Sequence, residues 1–326
     1  MHLSKQRVNE LLDQMKSKHI AVIGDLMLDE YLIGRVERIS PEAPVPVVNV
    51  KKETLRLGGA ANVCLNLSSL GLKVTAFGVT GDDSSANDLR HLLNESGISD
   101  AGLIDTNQRI TTKKTRIIGE NQQIVRIDRE NTKDISHSEV QKLIEKLRSV
   151  INSLDAIILQ DYNKGVITAD LIKEVIEFGK QNDKPVFVDP KFNNFFAYQE
   201  VTLFKPNLRE SSIALNRDLN SMDDFRQACV DLKKQLKADH VLVTLSADGM
   251  LLLDSSNEFF HVPTKAVEVA DVSGAGDTVI STLAAAYISG ADMKESVILA
   301  NDAAGIVVTE LGIVPILPSQ LRDTAQ

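Results

Sequence analysis

The chain has 326 residues, 43% apolar and 25% charged, which suits a full core and argues against disorder. A formal net charge of −9, with no long basic run, argues against non-specific nucleic-acid or anionic-membrane binding but allows a local basic pocket. No apolar run is long enough to span a bilayer, and residues 1–18 are polar and amphipathic, so a cytoplasmic protein is expected. Cys64 and Cys229 lie far apart without metal-ligand spacing and fit a reducing compartment as buried small hydrophobes. The six histidines form no spaced cluster, so no zinc site is expected.

The first strand reads as His19 to Asp25, a continuous apolar run ending in a glycine and an acid, as in a parallel sheet covered on both faces. Residues 31–57 change character: Pro41, Pro44 and Pro46 stand among the alternating Val45, Val47 and Val50, which predicts edge strands of a small exposed sheet. Gly58 to Gly71 reads as a turn and a helix. Its small first residues let a ligand approach the backbone, and Asn62 offers a donor and an acceptor. A strand at Val74–Val79, a helix to about Asn94, and strands Thr112–Ile118 and Gln123–Asp128 follow. The last two extend the small sheet, so that 110–129 joins 31–57.

From Ser136 the pattern is regular. Ser136 and Glu139 form a capping box before a helical face of Val140, Leu143, Ile144, Leu147 and Ile151. Strands Ala156–Leu159, Val186–Val188, Val201–Phe204 and Val241–Leu245 alternate with helices at Thr168–Gly179, after Pro206, and around Met222–Leu236. The fold class read from this is α/β, a doubly wound and mostly parallel sheet with a small exposed sheet beside it, in one large domain or two. The core strands end in polar residues: Asp25; Asp161 with Lys164; Asp189 with Lys191; Asn207; Thr244. Each alone reads as a turn residue, but together they mark a ligand crevice at the carboxyl edge of the sheet.

Near the end stands Asp271-Val272-Ser273-Gly274-Ala275-Gly276-Asp277-Thr278, followed by an Ala-rich helix, Val279 to Ile288. Two glycines before a helix leave backbone N–H groups unblocked, and the helix dipole adds positive charge, so the turn is an anion hole. Asp277 lies in the same turn. That pairing suits phosphoryl transfer to a hydroxyl: the N–H groups hold charge on the phosphoryl oxygens while the carboxylate takes the proton. There is no G-x-x-x-x-G-K-[ST] and no G-x-G-x-x-G after the first strand, which excludes a P-loop kinase and argues against a Rossmann dehydrogenase.

The Asp271–Thr278 stretch resembles the C-terminal motif of the ribokinase-like (PfkB) sugar kinases, and the resemblance covers nearly the whole chain. It implies Asp277 as catalytic base and Gly274, Ala275 and Gly276 as the anion hole. Gly58-Gly59-Ala60-Ala61-Asn62 is similar to the N-terminal motif that, with an early acid, here Asp25, binds sugar hydroxyls. Asn207-Leu208-Arg209-Glu210 resembles the motif that positions Mg²⁺ through water, with Glu210 as the acid. Thr244, Ser246 and Gly249 match the nucleotide-contacting turn, and Asn301 the helix bordering the adenine pocket. ATP and Mg²⁺ are the implied cofactors. Residues 31–57 and 110–129 match the family's β-sheet lid, so the resemblance implies a single kinase domain over 1–326, with a small β-sheet lid, and a homodimer through that lid. Asp271 has two readings, a share in a monovalent-cation (K⁺) site and a simple turn cap.

Within the family, Arg38–Val47, Asn121-Gln122-Gln123, Asp161–Gly165 and Asp189-Pro190-Lys191 resemble the D-glycero-β-D-manno-heptose-7-phosphate kinases of ADP-heptose (lipopolysaccharide precursor) synthesis, in their stand-alone form. Asn163 departs from the smaller residue often found there. A sugar already bearing a phosphate needs a cation, for which Lys164, Lys191, Arg116 and Arg126 are candidates. The two arginines read equally as charges that keep an edge soluble, and the two lysines suit the sugar phosphate or ATP alike. The alternatives are another kinase of this family, acting on a fructose phosphate or a ketosugar acid, and a non-catalytic sugar and nucleotide sensor.

Overall fold

The computed structural model describes residues 2–120, 122–264, 270–310 and 312–325. Asn121, part of one motif above, lies outside them. Helix α1 (Lys5–Met15), capped by Ser4, turns Val8, Leu11, Leu12 and Met15 inward, so the polar leader docks by an apolar stripe. β1 (His19–Gly24) is followed by two long strands, β2 (Leu26–Ile39) and β3 (Pro46–Gly59), then α2 (Ala60–Ser69), β4 (Lys73–Gly81), α3 (Ser84–Glu95) and β5 (Ser99–Thr106). The strands β6 (Thr112–Gly119) and β7 (Gln122–Arg129) precede α4 (His137–Val150), whose Ser136–Glu139 capping box is formed as expected. Next come β8 (Ala156–Gln160), α5 (Ala169–Gln181), β9 (Val186–Asp189), the two-residue β10 (Leu203–Phe204), α6 (Leu208–Leu215), α7 (Met222–Leu236) and β11 (His240–Thr244). β12 (Met250–Leu253), β13 (Phe259–Val262), α8 (Ala275–Ile288), α9 (Met293–Val307) and α10 (Pro318–Thr324) complete the order.

Nine strands form one sheet in the order β13-β12-β11-β10-β9-β8-β1-β4-β5, parallel from β5 to β11, with β12 and β13 antiparallel at one edge. Successive side chains along its strands serve two cores. Ile20, Val22 and Ile158 join α1, α2, α8 and α9 on one face. Ala21, Ile23, Ile157 and Leu159 join α4, α5 and α7 on the other. β5, β12 and β13 are not read from the sequence. β5 carries Asp100 and Asp105 among its apolar residues, and β12 and β13 form a short hairpin after the Thr244 turn.

The second sheet has the order β3-β2-β6-β7. Its first pair begins earlier and ends later than 31–57. β2 starts at Leu26 because the chain leaves the large sheet directly, and Gly58 and Gly59 pair with Met27 and Leu26. Pro41 and Pro44 lie in the connection, and Pro46 opens the edge strand β3, where a missing N–H costs no ladder bond. No helix among the described residues is long and apolar enough to cross a membrane.

Candidate active site

The first turn of α8 lies at the carboxyl edge of the large sheet. Gly274 caps it at φ 82°, a left-handed conformation that favours glycine, and the Thr278 N–H donates to the Gly274 carbonyl at 2.9 Å. The N–H groups of Gly276 and Asp277 belong to that first turn, where helix geometry supplies no partner. The Asp277 carboxylate is 4% exposed and held from three directions. Asn62 Nδ2 donates to Oδ2 at 2.8 Å, while the Tyr162 hydroxyl at 2.6 Å and Gln160 Nε2 at 3.2 Å donate to Oδ1. Burial pushes its pKa up to about 6; Tyr162 and Asn62 pull it down, the Asp189 charge raises it and Lys205 opposes that. A base poised this close to neutrality suits removal of a hydroxyl proton.

Gln160, outside every motif, and Tyr162, within Asp161–Gly165 but given no role by the sequence, complete the site, because β8 runs one residue further than its apolar stretch and both side chains reach Asp277. Gln160 Nε2 also reaches Asp189 Oδ2 at 3.2 Å, and the Lys205 ammonium lies 3.0 Å from that oxygen. Asn62 is therefore a positioner of Asp277, and its Oδ1 accepts from Asn66 at 3.3 Å. Asn163 sits at φ 55°, which explains why a smaller residue suits the position: the left-handed region admits glycine freely and asparagine tolerably.

The early acid needs a correction. Asp25 is buried, and its carboxylate accepts backbone N–H bonds from Tyr162, Lys164 and Val166 at 2.8, 3.0 and 3.0 Å. It fixes the 162–166 loop and has its oxygens engaged there, although burial still raises its pKa. The acid beside the Gly-Gly turn is Asp29. A Cβ on Gly58 would stand 2.1 Å from Asp29 Oδ2, which is why that position is glycine; Gly59, at φ 57°, makes the turn into α2. Asp29 accepts a hydrogen bond from Arg116. Asp29 is hidden in the sequence because it lies inside a strand, where an acid reads as a charge turned to solvent, yet it is buried.

Cross-strand pairing aligns Arg56, Asp29, Lys114 and Asp128 in one row of the small sheet, and Thr54, Tyr31, Arg116 and Arg126 in the next, all on one face. That face is turned to the crevice: Arg56 donates to the Ile313 carbonyl at 2.8 Å, and Ile313 packs on Gly274. Among the four predicted cations, Arg116 pairs with Asp29, Arg126 with Asp128 (2.9 Å), Lys164 with Glu130 (2.8 Å) and Lys191 with Glu210. Lys114, absent from the sequence reading, is half-buried and makes no ion pair among the described residues. Burial and the nearby Lys164 charge hold its pKa below the ordinary lysine range.

Around the nucleotide motifs the structure shows supporting contacts. Asn207 and Glu210 form a capping box on α6: Glu210 N–H donates to Asn207 Oδ1, and Asn207 N–H to Glu210 Oε2, each at 2.8 Å. Asn207 bridges to Thr244 beside it, and Ser246 (φ 54°) and Gly249 (φ 88°) form the turn beyond. Asn301, on α9, donates to the Pro263 carbonyl at 3.2 Å. Asp271 accepts from the N–H groups of Ser273 (2.9 Å) and Gly312 (3.2 Å), so it does cap and tie the turn. No cluster of three or more His, Cys, Asp or Glu that could hold a metal occurs among the described residues. Asn207 and Glu210 offer hard oxygen donors, the kind that meets Mg²⁺ through its waters, and the Glu210 oxygens are held by the Asn207 N–H and by Lys191.

The model of the pfkB family of carbohydrate kinases matches residues 17–320. The chain belongs to that family. It is similar to the Bifunctional protein HldE of Citrifermentans bemidjiense, 42% identical over 319 residues that cover 98% of this chain and 66% of that protein. Against the Bifunctional protein HldE of Nitratiruptor sp. the identity is 45% over 293 residues, covering 90% and 62%. The chain thus spans less than two thirds of the length of these pfkB relatives. Phosphofructokinase-2 from Escherichia coli, solved with potassium, shares the fold at a TM-score of 0.77 and 21% identity, covering 94% of this chain and 97% of that one. Arabidopsis thaliana ribokinase, solved with ribose and ATP, does so at 0.74 and 18%, covering 94% and 98%.

Proposed function

We propose that this pfkB kinase phosphorylates the anomeric hydroxyl of D-glycero-β-D-manno-heptose 7-phosphate, giving the 1,7-bisphosphate on the route to ADP-heptose. The observation that carries the choice of a phosphorylated sugar is the basic inner face of the small sheet, with Lys114 and Arg116 beside Asp29. The two rows of that face carry four cations, Arg56, Lys114, Arg116 and Arg126, against two carboxylates, Asp29 and Asp128, and an anionic acceptor would meet the surplus. The motifs at 38–47, 161–165 and 189–191 support the heptose. In this reading the small sheet, 31–57 and 110–129 with the extensions described above, is a lid over one kinase domain, and Asp29 takes a sugar hydroxyl in place of Asp25.

Bound ATP–Mg²⁺ supplies the γ-phosphoryl group. The chain does the rest: the first turn of α8 receives the phosphoryl oxygens, Asn62, Gln160 and Tyr162 hold Asp277 in place, and Asp277 takes the hydroxyl proton. Asn207 and Glu210 would order the waters of Mg²⁺, and Thr244, Ser246, Gly249 and Asn301 would line the nucleotide. Asp271 would share a K⁺ site, which replacing K⁺ by tetramethylammonium in the assay tests. A homodimer through the lid is supported by its other face, where Leu32, Ile117 and Val125 form one row and Ile127 the next, with Val125 and Ile127 45% and 47% exposed. Light scattering of a Val125→Glu variant checks it, a halved mass being the expected result.

The deciding experiment is ADP release from ATP–Mg²⁺ with heptose 7-phosphate, fructose 6-phosphate, ribose and fructose as acceptors. Preference for the heptose phosphate is expected. Turnover of another sugar alone would discard the heptose, and nucleotide binding without any turnover would favour a sensor.

A further inference from the structure

We propose that the Lys205 ammonium is a direct ligand of the phosphoryl group in transit, placed opposite the N–H groups of the α8 first turn. Lys205 follows β10, in the middle of the large sheet, and is 2% exposed. Lysine is almost never buried so completely unless a partner compensates the charge. Its ion-pair partner among the described residues is Asp189 Oδ2 at 3.0 Å. An ammonium carries three donors, and one carboxylate oxygen does not use them all.

Gly276 shows what the remaining donors face. A Cβ built there would lie 3.7 Å from Lys205 Nζ and 3.8 Å from Asp189 Oδ2. The bare Cα therefore leaves no side chain between the ammonium and the anion hole, and any side chain in its place would project at both charges. The same oxygen of Asp189 accepts from Gln160, whose Nε2 also donates to Asp277, so ammonium and base are coupled through one amide. The electrostatic need is plain. Asp189 and Asp277 are two buried carboxylates beside a site that must receive phosphate oxygens, and the nearby Lys191 is already paired with Glu210.

In the transfer, the acceptor oxygen bonds to the γ-phosphorus while the bond from phosphorus to the β,γ-bridging oxygen breaks. The hydroxyl proton passes to Asp277, and ADP leaves. Lys205 keeps its proton throughout and meets the charge on the equatorial oxygens as those bonds exchange. This role rests on the family's chemistry and holds for whichever sugar is the acceptor.

The test compares Lys205→Met with the double variant Lys205→Met/Asp189→Asn, using the acceptor that the sugar panel selects. The single variant leaves Asp189 buried without its cation and is expected to melt lower. The double variant removes both charges and is expected to regain wild-type thermal stability. In both, kcat should fall about 10²–10³-fold, as when one transition-state donor is lost, while acceptor KM and ADP affinity stay within about twofold of wild type. Recovery of kcat in the double variant to within about fivefold of wild type would show that Lys205 only neutralises Asp189, and would overturn the proposal. A loss of ADP affinity as large as the loss of kcat would overturn it too, because the residue would then serve the bound nucleotide generally. Failure of the heptose reading shows in the panel and leaves this test intact.

Discussion

At the carboxyl edge of the nine-stranded sheet, Asp25, Asp189, Lys205 and Asp277 are all at most 6% exposed, and each is held by a hydrogen bond or an opposite charge. The four-stranded sheet is built the other way: every residue of β7 is exposed, with charges along one face and Val125 and Ile127 open on the other. On the proposed function the difference follows from the tasks. Groups that stabilise a transition state must be fixed before the reaction, since reorganising them would consume the gain. A surface that meets a substrate, or another copy of the chain, must keep its charges and apolar side chains available. Buried order marks where chemistry is done, and exposed order marks where something arrives.

The largest effect should come from breaking the buried side at Asp277. Asp277→Asn is expected to lower kcat by about 10²–10⁴-fold, the contribution of a positioned base, with ADP affinity unchanged in calorimetry. The same variant sharpens the comparison through stability. The folded-state pKa of Asp277, about 6, lies above the ordinary carboxylate value, so the native state favours the protonated form, and its stabilisation is lost as pH rises through 6. The asparagine carries no such charge. Its melting temperature relative to wild type should therefore be higher at pH 8 than at pH 5, as differential scanning fluorimetry would show.

Much of the buried side was legible in the sequence, because its residues lie at strand ends and in turns, where polarity interrupts an apolar run. Asp277, Asn62 and Asp189 fall in such places, and the parallel order of the sheet brings them together. Lys205 is not legible there, because a single lysine before Pro206 reads as the end of a strand; only the topology places it opposite Gly276. Asp25 and Asp29 show the converse. Both are acids four residues apart, and the sequence cannot say that the N–H groups of the 162–166 loop occupy the first while the glycine turn faces the second. On the small sheet Lys114 was missed for a related reason. Alternation puts it on the face of Arg116, but its half-burial, with Asp29, Asp128 and Glu130 nearby and no close ion pair among the described residues, is a fact of three dimensions.

Lys114 gives the next prediction, on the exposed side of the comparison. Lys114→Met removes a half-buried cation that touches no part of the transfer machinery, so folding and ATP use should change little. If it meets the phosphate of the acceptor, acceptor KM should rise about 10–100-fold with kcat nearly constant, the pattern of uniform binding energy lost. A variant that loses kcat and leaves acceptor KM alone would move Lys114 out of the substrate site. Added inorganic phosphate should inhibit wild type competitively against the acceptor and the variant less.

The smallest effect tests how finely the buried network sets its base. The Tyr162 hydroxyl donates to Asp277 Oδ1 at 2.6 Å and favours the ionised carboxylate, against the burial and the Asp189 charge that disfavour it. Lys205 and Lys191 act on the carboxylate from the opposite sign of charge, and both stay in place when the phenol is removed. Tyr162→Phe keeps the ring under the Lys191 ammonium, 5.7 Å from its centroid, and deletes only the donor. The base should then hold its proton more tightly. The acid limb of kcat/KM should move to higher pH, so that activity falls several-fold near pH 6 and returns close to wild type at pH 8. A merely structural tyrosine would lower both limbs together and leave the midpoint where it was. A shift toward lower pH would mean that the phenol opposes ionisation, and the reading of the network as a tuned base would have to be reversed.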